Sequence, residues 1–239
     1  WLFDHLGGLV ILSYPWLTKI HPDPHGFHFR SVQTYLKKHT NHFLKLVKPD
    51  QDCFRDVGIF WDYASLPQAN MKSGERSGQE QHMFARGLKT IEFLYSGDMT
   101  IVVQLKHMPP EPFENMNRTP YDNRGWCYFE EVLGVTLKSG FQLLNLALAQ
   151  DRLDDSSDWQ LVASAAQSDN RPPIHPEHLR QELVYKAFSV AADLDMLMIK
   201  YADYFFSTVP STYEIGLAQQ YHILGTRSWG AKEVDSLVR

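Results

Sequence analysis

Cysteine is scarce in this sequence: 239 residues contain two, Cys53 and Cys127. Two thiols cannot build a disulfide framework or a structural zinc site made mainly of cysteine, and they fit a reducing, cytoplasmic compartment. Long apolar runs are missing as well. No stretch of about eighteen apolar residues occurs, so no membrane-spanning helix is expected. Positive charge is also in short supply, with 23 Lys and Arg against 28 Asp and Glu and a formal charge of −5. Such a chain lacks the basic field that displaces counterions from nucleic acid or draws a protein to an anionic membrane, so neither is expected as a partner. The opening residues, from Trp1, lack the basic flank and small-residue cleavage site of a signal peptide. A start without Met reads as a piece cut from a longer protein.

What is present is the composition of a folded globular protein, 44% hydrophobic and 21% charged. A chain of this length can bury one substantial core, and a single domain over 1–239 is expected. Leu9-Val10-Ile11-Leu12 reads as a strand buried on both faces, stopped at Ser13-Tyr14-Pro15. After a loop holding Pro22, Pro24 and Gly26, positions Phe29, Val32, Tyr35 and Leu36 recur at helical spacing. A second strand runs over Val57–Trp61 to Asp62, followed by the turn residues Ser65-Leu66-Pro67-Gln68. One helix is expected over Gln79–Tyr95 and a third strand over Thr100–Leu105. A further helix is expected over Trp126–Leu137 and a fourth strand over Phe141–Leu148. Strands alternating with helices predict a central parallel sheet covered by helices on both faces, because parallel neighbours need a crossover. Beyond Gln150 a polar stretch is interrupted by a short helix over Trp159–Ala166. A long helix over His178–Tyr201 and a last one over Tyr213–Ile223 complete a helical C-terminal extension, 150–239, to a motif-bearing core, 9–148.

In open parallel sheets ligands bind beyond the carboxyl ends of the strands. That rule nominates Ser13 to Trp16 after the first strand, Asp62 to Gln68 after the second, and Arg124 to Glu131 at the helix after the third. Several of these segments carry the motifs of a known family. Leu12-Ser13-Tyr14, the strand Ile59-Phe60-Trp61 ending in Asp62, and above all Trp126-Cys127-Tyr128-Phe129-Glu130 resemble, in that order, the motifs of Toll/interleukin-receptor (TIR) domains. The combination with His21-Pro22-Asp23-Pro24 and Arg124-Gly125-Trp126-Cys127 is similar to a divergent stand-alone TIR-like group. The chain departs from the pattern in a longer loop after Ser13 and in Ser65-Leu66-Pro67-Gln68 where an Arg-Gly pair is usual.

The resemblance implies a flavodoxin-like α/β fold and an NAD glycohydrolase or cyclase that splits the nicotinamide–ribose bond, acting in signalling or defence. It gives Glu130 the catalytic role and implies NAD as substrate, with no separate cofactor. Ser13, Tyr14, Trp16, Asp62, Ser65, Gln68, Arg124 and Trp126 become candidate substrate-binding residues. It further implies a homo-oligomer built through TIR-type contacts on the loop from Tyr63 to Gly78. The alternatives are a catalytically silent TIR-like interaction module acting by self-association, and a nucleoside or nucleotide base exchanger using the same carboxylate.

The residues by themselves leave choices open. A carboxylate beside the ribose suits an oxocarbenium-like state, and Trp126 and Glu130, four apart, share a helix face. Equally, Trp126 can be core and Glu130 an early-helix acid favoured by the dipole. Asp62 either accepts a ribose hydrogen bond or fixes the turn after it, and Ser13, Tyr14 and Trp16 either meet a nucleotide or pack under the long loop. Glu131, one residue on, points elsewhere and reads as a structural or solvated acid. Cys127 reads as a buried thiol. His5, His21, His25 and His28 with Asp23 form no helical His-x-x-x-His pair, and no metal is assigned to them.

Overall fold

The computed structural model describes residues 6–44, 56–70, 73–97, 99–138, 140–154, 156–168 and 171–220. His5, Cys53 and the end of the last expected helix, 221–223, lie outside them. Four strands, β1 (Leu6–Ser13), β2 (Asp56–Phe60), β3 (Thr100–Gln104) and β4 (Leu143–Asn145), form one sheet in the order β2-β1-β3-β4. Every pairing is parallel, with Ser13 of β1 opposite Gln104 of β3. The fold is therefore α/β, and its strand order follows the start of the flavodoxin-like doubly wound order, whose reversal point lies between β1 and β3.

The period-2 alternation of the strands divides the core. Ile11, Val102 and Leu143 face one cluster, while Val10, Leu12, Val103 and Leu144 face the other. The second face is covered by α1 (Phe27–Leu44), through Val32 and Tyr35, and by α6 (Trp159–Ala165), through Trp159 and Val162. Asp23 starts α1: its two carboxylate oxygens accept from the backbone N–H groups of Phe27 and Phe29 at 2.7 and 2.8 Å.

A one-turn helix, α2 (Asp62–Ser65), follows β2. The single helix expected over Gln79–Tyr95 is two, α3 (Gly78–Lys89) and α4 (Ile91–Ser96), broken at Thr90. The Thr90 hydroxyl turns back onto the carbonyl of Gly87 at 3.2 Å, and its backbone leaves the helical region at φ −114 and ψ 8. The break separates an exposed helix from a buried one: α3 has no buried residue, whereas Ile91 and Tyr95 of α4 are in the core. A Ser77–Glu80 capping box opens α3.

The first face is completed by α5 (Gly125–Leu137), α7 (Pro176–Leu183) and α8 (Asp193–Gln220). Leu179, Leu183, Leu197 and Tyr201 join Ile11, Val102 and Phe129 in one cluster, so the C-terminal helices are part of the core over the sheet. The long helix expected over His178–Tyr201 is interrupted because the chain leaves it to pair with the start of α5. Ala187 donates to the Asn123 carbonyl at 2.8 Å and accepts from the Gly125 N–H at 2.9 Å. A Cβ on Gly125 would fall 2.0 Å from Phe188 Cζ, so any larger residue there must displace that half-buried ring. The fourth strand is shorter than expected because the Asn145 side chain accepts from the Ala147 N–H at 3.0 Å and starts a 3-10 segment, Leu146–Arg152. No helix among the described residues is long and apolar enough to cross a membrane.

Candidate functional site

The carboxyl edge of the sheet brings together residues far apart in sequence. Ser13 ends β1 on the face that α5 covers, and its buried hydroxyl donates to Glu130 Oε2 at 2.6 Å. Tyr14, on the opposite pleat, donates its hydroxyl to Asp62 Oδ1 at 2.5 Å, and Trp16 Nε1 donates to Asp62 Oδ2 at 3.0 Å. The Trp61 indole N–H donates to the Tyr14 hydroxyl. Ser13 with Glu130, and Tyr14 and Trp16 with Asp62, thus form two neighbouring hydrogen-bonded groups at the reversal point of the strand order.

Burial drives the Glu130 carboxyl up from the ordinary 4.5 to about 8. The Ser13 and Tyr95 hydroxyls pull it back, and the neighbouring Asp62 carboxylate pushes it further up. Asp62 is likewise raised by burial, against the opposing hydrogen bonds from Tyr14, Trp16 and its own neighbour Tyr63. Two half-buried acids therefore share the site, each raising the other's cost of ionisation, and the ionised form of either is costly unless a cation or an aimed donor compensates. Around Asp62 stands an aromatic rim. Trp16 and Tyr63 meet edge to face at 5.6 Å between ring centroids, His21 lies 4.9 Å from Tyr63, and Tyr14 meets Trp61 at 6.1 Å.

The remaining candidates are used locally. Arg124 is buried, and its guanidinium donates to the carbonyls of Trp16 (2.5 Å), Thr119 (2.8 Å) and Asn117 (3.0 Å). It clamps the loop after β1 to the loop before α5, so in this structure it acts on the scaffold around the site. Lysine cannot reproduce a three-way planar clamp. Arg124→Lys is expected to lower stability by about 2–4 kcal/mol, because buried carbonyls lose their donors. Urea unfolding at fixed pH measures this, and an unchanged midpoint would release Arg124 for a role toward a ligand.

The Trp126 indole donates to Asp193 Oδ2 at 2.8 Å and packs with Phe129 on the core cluster, tying α5 to α8. The Ser65 hydroxyl accepts from the Trp61 N–H at 3.1 Å, and the Gln68 amide donates to the carbonyls of Leu66 (2.9 Å) and Asp62 (3.3 Å). Both therefore shape the turn after β2. Glu131 turns away from Glu130 and is buried in ion pairs with Lys106 (2.7 Å) and Arg171. Cys127 is a free, buried thiol whose ionisation is suppressed by burial. His28 is buried beside Tyr14, and burial lowers it to about 4. Among the described residues no three His, Cys, Asp or Glu side chains group as metal ligands.

Three residues of the site escape sequence reasoning. Tyr95, on α4, lies beside Glu130 and donates its hydroxyl to the Leu12 carbonyl at 3.2 Å. Tyr121, from a 3-10 turn (Tyr121–Asn123), has its hydroxyl 2.5 Å from Ser13 Oγ. Gln104, at the end of β3, reaches the Tyr121 hydroxyl at 3.4 Å. Tyr95 sits at a helical period among apolar residues and reads as core. Gln104 was detectable, as a lone polar residue closing the apolar strand Thr100–Val103 at the edge where ligands bind.

No protein-family model, curated protein or solved structure matches the chain.

Proposed function

We propose that this chain cleaves the N-glycosidic bond between nicotinamide and ribose in NAD or a related nucleotide, with Glu130 as the catalytic carboxylate, in a cytoplasmic signalling or defence setting. The observation that carries this reading is the Glu130 carboxyl itself. It is raised to about 8 by burial, is held by Ser13 at 2.6 Å, and lies at the carboxyl edge beside the reversal point of the strand order. The chemistry suits one such acid. When the C1′–N bond breaks, its electron pair goes to the pyridinium nitrogen and nicotinamide departs neutral, so the leaving group needs no proton donor. What needs stabilising is the ribosyl cation, and a desolvated carboxylate beside it does that more strongly than one in water. Water then adds to C1′ and loses a proton, or a nitrogen of the adenine ring adds in its place to close a cycle. Addition of a free base would give the exchange reaction. The half-buried rim of Trp16 and Tyr63 offers faces for a planar cationic ring, and such a cation favours the ionised form of Glu130 and Asp62. The test is nicotinamide release from NAD by concentrated protein, with Glu130→Gln as the control. Labelled nicotinamide in the mixture separates exchange from hydrolysis.

A second reading, a catalytically silent TIR-like module acting by self-association, is favoured by one observation. Asp62, Arg124 and Gln68 direct polar atoms to partners within the chain. The two readings share an assembly proposal. β2 is an edge strand with Ile59 exposed, and the segment that follows it exposes Ala64, Ser65, Ser73 and Ser77. Contacts from a second copy would supply the ordering of that segment, so specific activity is expected to climb with protein concentration. A dilution series over a hundredfold range measures it, and constant specific activity throughout would assign turnover to the single chain.

A further inference from the structure

The hydroxyl that contacts Glu130 is the end of a chain of hydrogen bonds. Ser168 Oγ donates to Gln104 Oε1 at 3.2 Å, Gln104 Nε2 donates to the Tyr121 hydroxyl at 3.4 Å, Tyr121 lies 2.5 Å from Ser13 Oγ, and Ser13 donates to Glu130 at 2.6 Å. Gln104, Tyr121 and Ser13 are buried, while Ser168, after α6, is half-buried.

The direction of this chain is decided by proton counting. Gln104 has one acceptor oxygen, taken by Ser168, so it meets Tyr121 with an N–H and Tyr121 must accept. A hydroxyl carries one proton, and that of Ser13 goes to Glu130. The short Tyr121–Ser13 contact therefore uses the Tyr121 proton. Every donor points toward Glu130, and donors in series polarise one another. With the Gln104 amide in this orientation, reversal is blocked. A neutral Glu130 that donated to Ser13 would turn Ser13 toward Tyr121 and Tyr121 toward the Gln104 amide NH2, which has no lone pair to offer. Nor can the amide pass a proton on to Ser168, so the chain sets an ionisation state and does not shuttle protons.

We propose that Gln104 and Tyr121 are positioning residues for Glu130: the amide of Gln104, oriented by Ser168, imposes one direction on the Tyr121–Ser13 hydroxyl chain and so favours Glu130 as a carboxylate. The role in turnover rests on the reading of Glu130 given above, whereas the effect on its ionisation does not. The groups facing Glu130 besides Ser13 are Asp62, Tyr14, Tyr95, Tyr121 and Cys127. Among these neighbours Asp62 is the one carboxylate, so donor hydrogen bonds are what oppose the cost of a second negative charge.

The test is the titration of Glu130 by carboxyl-carbon NMR on glutamate-labelled protein, assigned with Glu130→Gln. Tyr121→Phe and Gln104→Leu are expected to move its midpoint upward by about one pH unit, a tenfold loss in acidity. Ser168→Ala, at the half-buried end, moves it in the same direction by less and carries the test if the buried variants do not fold. With NAD, the acid limb of the kcat/KM profile shifts upward by the same amount. A midpoint that moves in a protein that does not cleave NAD upholds the chain and sinks the proposed activity. An unmoved midpoint in folded variants overturns the chain, whatever the activity.

Discussion

Glu130→Gln is expected to lower nicotinamide release from NAD by about 10²–10³-fold, the usual loss when one aimed electrostatic stabiliser is removed. Glutamine keeps the shape and an oxygen that can still accept from Ser13, so the sheet edge and the core behind it stay intact. What disappears is the negative charge that the ribosyl cation needs. For the same reason the unmodified chain should be nearly inactive at low pH. Its carboxyl, raised to about 8 by burial, is mostly protonated at pH 6 and mostly ionised at pH 9. kcat/KM therefore rises tenfold per pH unit below that midpoint and levels above it. Because kcat reports the complex, in which a cationic ring favours the carboxylate, its own limb lies at lower pH. Turnover by Glu130→Gln equal to that of the unmodified chain would move the chemistry off this residue.

The same substitution should make the protein more stable at alkaline pH. The folded-state midpoint of Glu130, about 8, lies above the ordinary 4.5 that the unfolded chain takes up. Between these values the folded state holds a proton that the unfolded state has released. Stability from this group is thus full below about 4.5 and is lost as pH rises through about 8, at up to about 1.36 kcal/mol per unit. Glutamine has no proton to lose, so relative to pH 4.5 the variant gains on the order of 3 kcal/mol by pH 8. For a chain of this size that is a rise in the melting temperature of roughly 6–12 °C. Asp62 is raised as well and remains, so the pH dependence of the variant is reduced and not abolished. Urea unfolding of both proteins at pH 5 and pH 8 measures the difference, and parallel pH dependence would show that the Glu130 carboxyl is not held out of water.

Much of the scaffold can be read from local pattern. Leu9–Leu12 is apolar on both pleats because both faces of β1 are covered, and alternation of such runs with helical periods predicts a parallel sheet. The rule that ligands gather at carboxyl ends of strands nominated Ser13, Asp62 and Glu130; in the structure Ser13 bonds Glu130, while Asp62 belongs to a neighbouring group with Tyr14 and Trp16. The helix breaks were harder. At Thr90 the period continues through a residue whose hydroxyl competes for the helical carbonyls. After Leu183 the chain leaves the helix for a backbone pairing with Asn123 and Gly125, sixty residues away.

Residue type and periodicity determined the strands, their parallel pairing and the acid in the second turn of α5, because these depend on neighbours within a few positions. The environment of that acid was decided only by the tertiary structure. Tyr95 from α4, Tyr121 from a loop turn and Gln104 from β3 reach it from elements 9 to 35 positions away, and desolvation is a property of the assembled core. The same holds for Arg124 and Trp126. Their types suggested ligand contacts, and their partners, three loop carbonyls and Asp193 of α8, exist as neighbours only once the chain has folded.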